Sequence, residues 1–336
     1  MKFGIVGCGT ISGFYASAIK EMEGSHITDV FDVSPQYGEA FAKEQNAVYH
    51  TTYQSLLQSD IDTVCICTPS GLHADQVVQA SEAGKHVVVE KPIGITMEQL
   101  DHISAACKKN STKLCAISQL FFSESVQKVK KCIDEGRLGK MLLCEVSMKY
   151  FRSEEYYLKG GWRGTVAMDG GGALMNQGIH GISLMLLLMG NVKSVSAYTR
   201  TLLHNIETED TAVASMEFEN GALGTVIGTT SLNPSSPRTI DIYGSKGHIQ
   251  LTESQITCWE VEGEERICIR DFDAGASSNP TAFTSDLHRL QLLDFIEAVE
   301  QNRRPLLDET AGRKPVELIL AIYQASKDHK TIFFNE

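Results

Sequence analysis

The sequence predicts an α/β protein that begins with a doubly wound parallel sheet and continues into an α+β domain with an open, mainly antiparallel sheet. The length of 336 residues suits two domains rather than one. Over the first 120 residues, short apolar runs alternate with helix-like stretches, whereas later strands follow one another through turns. We therefore expect one domain over residues 1–120 and a second over residues 121–336.

The strand-like runs of the first domain are rich in β-branched residues and almost continuously apolar, which is typical of parallel strands buried on both faces. They cover residues 3–7, 27–32, 63–68, 86–90 and 113–118. The helix-like stretches between them cover residues 12–22, 35–45, 73–83 and 96–109. This alternation predicts consecutive βαβ units.

The second domain begins with a predicted helix over residues 123–139, which is followed by a strand and an apolar helix over residues 173–189. Strand-like segments then run from residue 192 to residue 272 through turns such as "ENGA" and "GSKG", which predicts an antiparallel sheet. Helices over 285–301 and 310–327 end the chain, and the C-terminal helix could pack back on the first domain.

The composition excludes several classes of protein. The apolar fraction of 42% and the charged fraction of 21% are those of a soluble globular protein. The net charge of −12 argues against a nucleic-acid or anionic-membrane surface. The start "MKFGIVGCG" lacks the features of a signal peptide, and "LMLLLMG" is too short to span a bilayer. We expect a cytoplasmic protein without a nucleic-acid or membrane partner.

The nine cysteines are odd in number, and in a chain that we do not expect to be secreted a disulfide framework is disfavoured. Cys65 and Cys67 would point to opposite faces of one strand, so core packing is the default for them. Cysteine and histidine do not recur at zinc-ligand spacing, and we expect no metal.

The segment 7–13, "GCGTISG", follows the first strand and opens the first helix. Glycines at such a turn let backbone N–H groups approach a pyrophosphate at the helix N-terminus, and the small Ser12 still permits close packing. Asp32 ends the next strand, 25 residues after Gly7, where a carboxylate can bind both ribose hydroxyls. The sequence therefore predicts a dinucleotide site whose turn residues are Gly7, Gly9, Thr10, Ile11 and Ser12.

The type of dinucleotide follows from Asp32, whose charge would repel a 2′-phosphate. Val33, Ser34 and Pro35 come next and include no arginine or lysine to receive one. NAD is therefore favoured over NADP.

Ligands of open α/β sheets bind outside the carboxyl ends of the strands. Two further ends supply Thr68 with Pro69 and Glu90 with Lys91. A lysine there, beside a cationic nicotinamide, would have its charged form disfavoured and could accept a proton. The alternative is a lysine that pairs with Glu90 and keeps its ammonium group in solvent.

Several motifs together resemble the Gfo/Idh/MocA family of oxidoreductases over essentially the whole chain. They are "CTPSGLHADQV", "AGKHVVVEKPIG", "GRLGK", "WRGT", "GGALMNQGIH" and "EDTAVASMEFENGALG". The resemblance implies a Rossmann domain, an open-faced sheet domain and hydride transfer between NAD(P) and a sugar or polyol carbon. It also implies that Lys91 assists the proton and that the Lys91–Pro92 peptide bond is cis.

The apolar helix contains two polar residues, Asn176 and His180, that share one face at i, i+4 spacing. Without the resemblance, a buried histidine satisfied by Asn176 is the simpler interpretation. The resemblance implies that His180 is the acid/base partner of Lys91 and that Asn176 bonds substrate or lies beside nicotinamide. The glycines at 170–172 would let the helix approach another backbone closely.

Two positions depart from the family pattern, in which His-x-x-Asp is common and an aspartate often precedes the histidine by four. This chain has Ser183 and Asn176 there. A site that lacks two carboxylates could suit an anionic sugar, such as a uronate or a nucleotide-sugar, with Lys91, Arg152 and Arg163 as its partners.

Weaker assignments complete the predicted site. The predicted substrate-binding residues are Gln119, Arg152, Trp162, Arg163, Asn176 and Ser183. Beyond the glycine turn and Asp32, the predicted cofactor-binding residues are Thr68, Pro69, His73, Glu90 and Lys91. Residues 152–163, with Tyr156 and Tyr157, could equally be an ordered inter-domain loop, and His73 could serve a helix N-terminus. His288 could reach the cleft.

Two further functions stay open on this scaffold: an NAD-dependent glycosidase or lyase that oxidises its substrate transiently, and an NAD-sensing regulator. Regulators of this kind lack the catalytic lysine, whereas Lys91 and His180 are both present. The resemblance implies a homodimer or homotetramer through the C-terminal sheet, and apolar residues on both faces of the later strands are consistent with a covered second face.

Overall fold

The computed structural model describes residues 1–269 and 285–334. The chain divides into two compact units, each described here by itself. The first unit comprises Met1–Gln119 and Thr284–Arg313, and the second comprises Leu120–Phe283 and Lys314–Glu336.

The first unit is a six-stranded parallel sheet in the order β3-β2-β1-β4-β5-β6, with helices between the strands. This confirms the predicted doubly wound sheet. The strands are β1 (Lys2–Val6), β2 (His26–Phe31), β3 (Val48–His50), β4 (Thr63–Ile66), β5 (His86–Val89) and β6 (Leu114–Ala116). The helices are α1 (Ser12–Lys20), α2 (Pro35–Gln45), α3 (Tyr53–Leu57), α4 (His73–Glu82), α5 (Met97–Asn110) and α9 (Asp286–Glu300).

Helix α9 supplies part of the hydrophobic core of the first unit, although it lies far along the chain. Its Leu292 and Phe295 are fully buried in one cluster with Phe3, Ile5 and Val88 of the sheet. Burial of side chains of this size contributes about 1.5–3 kcal/mol each. The first unit is therefore completed by a segment that follows the second domain in sequence.

The prediction missed β3 and α3 in the first unit. Strand β3 has three residues and lies at the edge of the sheet, where Val48 is 59% exposed, so its apolar signal is weak. Helix α3 is one turn long and is capped by Thr52, whose side chain accepts from the Ser55 N–H group.

The second unit is a nine-stranded sheet in the order β14-β13-β12-β11-β7-β10-β9-β8-β15. Its strands are β7 (Met141–Lys149), β8 (Val192–Arg200), β9 (Thr211–Phe218), β10 (Leu223–Thr229), β11 (Thr239–Gly244), β12 (Gly247–Thr252), β13 (Gln255–Val261), β14 (Ile267–Cys268) and β15 (Ile332–Phe333). Its helices are α6 (Glu124–Asp134), α7 (Glu154–Leu158) and α8 (Ile179–Met189), and α10 (Glu309–Asp328) crosses from the first unit into the second.

The sheet of the second unit is mixed, because β7 pairs with β10 in parallel while the other pairs are antiparallel. The prediction of a mainly antiparallel sheet is confirmed. Parallel neighbours need a long crossover, and the helices between β7 and β8 provide one. The predicted last strand ends at Cys268, and residues 270–272 of that prediction lie outside the described residues.

Helix α8 packs directly on β7. A Cβ atom at Gly181 would lie 2.6 Å from the Met148 sulfur atom and 3.2 Å from a Val146 methyl group, so glycine is needed for this approach. Alternate residues of β7, including Cys144, Val146 and Met148, are buried toward the helix. Within residues 1–269 and 285–334, helices of the length and apolar character needed to cross a membrane do not occur.

Candidate active site

The glycine turn between β1 and α1 has the geometry of a dinucleotide cradle. Gly7 has φ +89°, and a Cβ atom there would lie 2.8 Å from the Cys67 carbonyl oxygen. At Gly9, by contrast, a Cβ atom would meet no described atom within 4 Å, so the loop borders open space. The buried Ser12 donates to the Gly9 carbonyl oxygen at 2.6 Å and closes the turn. The turn fits a pyrophosphate at the α1 N-terminus.

Asp32, which follows β2, connects this strand to the glycine turn through hydrogen bonds. Its two carboxylate oxygens accept the Cys8 N–H group at 2.8 Å and the Ser34 N–H group at 2.7 Å. A carboxylate oxygen has capacity for a second donor, so ribose hydroxyls can bind the same group. The 86% exposure of Val33 leaves an apolar surface beside it. These contacts fit NAD, and they give Asp32 a structural role that the sequence did not indicate.

His73 clamps the ends of β4 and β5. Its Nδ1 lies 2.7 Å from the Pro92 carbonyl oxygen and its Nε2 lies 2.8 Å from the Thr68 carbonyl oxygen. The ring is 1% exposed, and this burial lowers the pKa of His73. The Lys91–Pro92 peptide bond is cis, as the resemblance implied. His73 therefore connects the ends of β4 and β5; its neutral ring has one N–H group and donates to one of these two oxygens at a time.

Glu90 faces into the first unit. Its carboxylate accepts the Tyr15 hydroxyl at 3.0 Å and the Lys91 N–H group at 3.3 Å. Burial, followed by the charge of Glu90, raises the pKa of Tyr15 well above its ordinary value, so the phenol stays a donor. Glu90 thus links α1 to the residue before the cis peptide bond.

In the second unit, the prediction of one α-helix over 173–189 is wrong at its start. Residues Ala173–Gly178 form a π-helical turn, and α8 begins at Ile179. π-Helical turns of this kind occur frequently at functional sites. This one carries Asn176, and His180 lies just beyond it, half-buried.

Glu209 holds the start of the π-helical turn. Its carboxylate accepts the N–H groups of Gly172 at 2.9 Å and Leu174 at 2.8 Å, and its backbone carbonyl oxygen accepts the Ala173 N–H group at 2.9 Å. The Tyr323 hydroxyl donates to it at 3.0 Å. One residue therefore satisfies three successive N–H groups that a helix start leaves without partners. One signal of this role is visible in the sequence: an acidic residue lies just before a buried strand.

A hydrogen-bond chain runs from the π-helical turn to Arg152. The buried Asp169 accepts the Asn176 side-chain amide at 2.6 Å. Gln177 donates to the Asn176 amide oxygen at 2.9 Å and to the Tyr156 hydroxyl at 2.8 Å, and it accepts from Arg152 at 2.7 Å. Arg152 is 7% exposed, so its guanidinium group supports this chain. Asp169 and Gln177 were not among the predicted site residues.

Arg163 is the more accessible of the two predicted arginines. Its guanidinium carbon lies 4.6 Å from the centre of the Tyr156 ring and 5.0 Å from the centre of the Trp162 ring, which is cation–π distance for both. The predicted loop over 152–163 also contains helix α7, which the sequence did not reveal.

The remaining predicted residues are placed as follows. Ser183 is half-buried on α8, three residues beyond His180. In the first unit, Gln119 is 6% exposed and its side-chain oxygen lacks a partner among the described residues. His288 is 1% exposed, and its ring lies 5.8 Å from the rings of Phe14 and Tyr15. His, Cys, Asp and Glu side chains of the described ranges do not group in threes that could hold a metal ion.

The titration of Glu209 should be visible in the stability of the protein. Burial raises the pKa of Glu209 from 4.5 to about 7, although its hydrogen bonds oppose the shift. Because the folded state holds the proton more tightly, this group stabilises the protein fully below about pH 4.5 and loses that contribution as pH rises through 7. We expect the free energy of unfolding of the native protein minus that of Glu209→Gln to fall by ~2–3 kcal/mol between pH 5 and pH 8.

Urea denaturation of both proteins at each pH measures this difference. The subtraction removes other titrating groups such as His73. A difference independent of pH would contradict the raised pKa of Glu209.

Two family models match the chain. The model described as "Oxidoreductase family, NAD-binding Rossmann fold" matches residues 1–117, and the model described as "GFO/IDH/MocA C-terminal domain" matches residues 126–250. Together they cover more than half of the chain, and the first shows an NAD-binding domain in the part that forms the six-stranded sheet.

Solved structures and curated relatives agree with these matches. The WlbA dehydrogenase of Bordetella pertussis, in complex with NADH and UDP-GlcNAcA, is 30% identical with a TM-score of 0.89, covering 100% of this chain and 99% of its own. The WlbA dehydrogenase of Chromobacterium violaceum, with the same two ligands, is 32% identical with a TM-score of 0.88, covering 100% and 96%. A 2,7-anhydro-N-acetylneuraminate hydratase of Escherichia coli is 28% identical over 75% of this chain and 67% of the relative.

Proposed function

The chain belongs to the GFO/IDH/MocA oxidoreductase family, and from this premise we propose that it oxidises a ring hydroxyl of a nucleotide-activated uronic acid with NAD. That the protein is an NAD-binding oxidoreductase of the sugar and polyol dehydrogenase type follows from the family. The observation that carries the finer proposal is the full-length similarity, at 30% and 32% identity, to two dehydrogenases that were crystallised with UDP-GlcNAcA.

The proposed chemistry uses Lys91 and His180, which the motif resemblance assigns to proton transfer. Bound NAD accepts the hydride from the substrate carbon. Lys91 and His180 hold the hydroxyl group, and one of them takes its proton as the carbonyl forms. The clamp of His73 on Pro92 and Thr68 fixes the backbone at Lys91. Glu209 fixes the start of the turn that precedes His180.

Gly9→Ala tests the cofactor turn. A Cβ atom at Gly9 meets no described atom within 4 Å, so we expect a melting temperature within a few degrees of the native value. The methyl group occupies space that the pyrophosphate needs, and we expect the NADH dissociation constant to rise at least about tenfold. Fluorescence titration with NADH measures this, and Ser17→Ala, one turn further along α1, is the control. Unchanged NADH affinity would argue against the assigned turn.

The preference for an acidic sugar is argued from charge. Asn176 and Ser183 stand where many family members have carboxylates, so an anionic substrate meets less repulsion here. Arg163, stacked against Tyr156 and Trp162, offers a guanidinium group for a carboxylate or a phosphate. We assign Arg163 to substrate, and Arg152 to holding Gln177 in place.

A matched substrate pair tests this function. NADH formation by the purified protein is measured with UDP-GlcNAcA and with UDP-GlcNAc, which differ in the uronate group. We expect kcat/KM to be at least about tenfold higher for the acid, and Arg163→Met to lower it for the acid more than Arg163→Lys does. Equal turnover of UDP-GlcNAcA and UDP-GlcNAc would contradict the proposal.

A second candidate function is a hydratase or lyase that oxidises its substrate transiently and reduces it back. The similarity to the Escherichia coli hydratase supports this second candidate function. Two results distinguish it from a dehydrogenase: substrate disappears while NADH does not accumulate, and the cofactor stays bound through purification.

We also propose a homo-oligomer formed through the apolar half of the open face of the nine-stranded sheet, on β7 to β10. Ile227, Val213 and Tyr198 lie in register across β10, β9 and β8, and Val213 and Tyr198 are 48% and 67% exposed. Leu223, 58% exposed, pairs with Leu143 on the same half of the sheet. An apolar row of this kind suits a second copy of the chain.

Val213→Glu tests this face. We expect the native protein to sediment as a dimer or tetramer at micromolar concentration and Val213→Glu to sediment as a monomer, because each copy would bury an unpaired carboxylate in the interface. Analytical ultracentrifugation decides the matter, and a native monomer would contradict it. Thermal unfolding of the variant checks that the fold survives.

A further inference from the structure

The polar half of the open sheet face, on β11 to β14, carries four residues that we call the thiol cluster: Cys258, Cys268, His248 and Asp241. Cys258 and Cys268 are direct partners in the antiparallel pair of β13 and β14. His248 on β12 and Asp241 on β11 continue the cluster across the sheet. None of the four belongs to the site described above.

The hydrogen bonds of His248 leave one ring nitrogen as an acceptor toward Cys258. His248 Nε2 lies 3.1 Å from an Asp241 carboxylate oxygen, and that oxygen also accepts from Gln250 at 2.8 Å. An ionised carboxylate accepts only, so Nε2 carries the proton and Nδ1 is free to accept. Nδ1 lies 3.6 Å from the Cys258 sulfur atom. Tyr243 stacks on the imidazole at 4.2 Å and holds its plane.

The register of the two cysteines suits a disulfide. The Ile269 N–H group donates to the Thr257 carbonyl oxygen at 2.8 Å, so the adjacent pair Cys258 and Cys268 is the kind without its own backbone hydrogen bonds. Cα atoms of such pairs lie about 4.5 Å apart. This falls within the range of about 4.4–6.8 Å that disulfides span. Both cysteines are free thiols here.

The two thiols differ in access. Cys268 is exposed and Cys258 is half-buried, whereas the other seven cysteines of the chain are buried. Burial, with the charge of Glu260, raises the pKa of Cys258. This thiol therefore needs a proton acceptor before it can attack, and His248 supplies one.

We propose that Cys258 and Cys268 form a thiol–disulfide exchange site for a low-molecular-weight disulfide such as oxidised glutathione. The Cys268 thiolate attacks one sulfur of the disulfide, which forms a mixed disulfide and releases one thiol. His248 takes the proton of Cys258, whose sulfur attacks Cys268 and releases the second thiol. The two protein thiols are oxidised to one disulfide, and the small disulfide is reduced to two thiols.

Peptide mapping of the full-length protein after incubation with oxidised glutathione tests the proposal. Trypsin cleaves after Arg266, which separates the two cysteines, so a disulfide joins peptide 247–266 to peptide 267–270. We expect this linked pair in the native protein. Cys258→Ser should accumulate the glutathione adduct on Cys268, because the second attack is lost, and Cys268→Ser should give no linked peptides.

The His248→Gln variant tests whether His248 acts as the base, because it removes the imidazole and keeps Cys258 and Cys268 paired across β13 and β14. We expect it to slow closure of the disulfide at least about tenfold, while the exposed His26→Gln closes at the native rate. Circular dichroism checks that each variant is folded. A native protein in which neither cysteine reacts, or in which Cys268 keeps its adduct, would overturn the proposal, as would an unchanged rate in His248→Gln.

Discussion

Lys91→Met is expected to lower kcat by about 10²–10⁴-fold, which is the usual contribution of a positioned acid/base group. Methionine keeps much of the length and apolar stem of lysine but cannot accept or donate a proton. The backbone there is held by the His73 clamp and by Glu90, neither of which needs the Lys91 ammonium group. The loss should therefore fall on the chemical step.

Three measurements distinguish this loss from one of binding. NADH affinity by fluorescence titration should stay within about twofold of the native value, since the glycine turn and Asp32 are untouched. Single-turnover kinetics with saturating substrate should show the full loss. Lys108→Met, on the exposed face of α5, should retain native kcat. A Lys91→Met protein with near-native kcat and a raised KM would make Lys91 a binding residue.

The first unit could be predicted well because its evidence is local. Each parallel strand is a short run of buried apolar residues, and parallel strands end at one edge of the sheet, so Gly7, Asp32, Thr68 and Lys91 were grouped from their positions after strands. Strand β3 was not predicted because one exposed and two half-buried edge residues carry little periodic signal.

In the second unit, several features depend on residues that are distant in the chain, and local sequence patterns did not predict them. The parallel pairing of β7 with β10 is a choice between distant strands, and local pattern does not encode it. The π-helical turn likewise depends on Glu209, which lies beyond strand β8 in the chain. Motif likeness predicted His180 and Asn176 as site residues, whereas the contacts of Asp169 and Gln177 with Asn176 emerge from the hydrogen bonds of the structure alone.

Gly172→Ala is expected to lower the free energy of unfolding by at least ~3 kcal/mol, among the larger effects of a single substitution. The added Cβ atom would lie 1.9 Å from the Glu209 carbonyl oxygen. The oxygen belongs to the backbone and the Cβ atom is attached directly to it, so neither can rotate out of the contact as the end of a side chain could. Relief of the contact requires Ala173 to give up its bond to that oxygen, and it moves the Gly172 N–H group off the Glu209 carboxylate. Urea denaturation measures the loss.

Gly13→Ala is the matched control, because a Cβ atom there meets no described atom within 4 Å and alanine favours a helix by about 0.5–1 kcal/mol. Any Gly172→Ala protein that still folds should lose kcat well below its melting temperature. Its π-helical turn must shift, and Asn176 and Gln177 move with it. If this variant instead kept both native stability and native kcat, the turn would not need the close approach to Glu209, and the positioning of His180 would have to come from α8 alone.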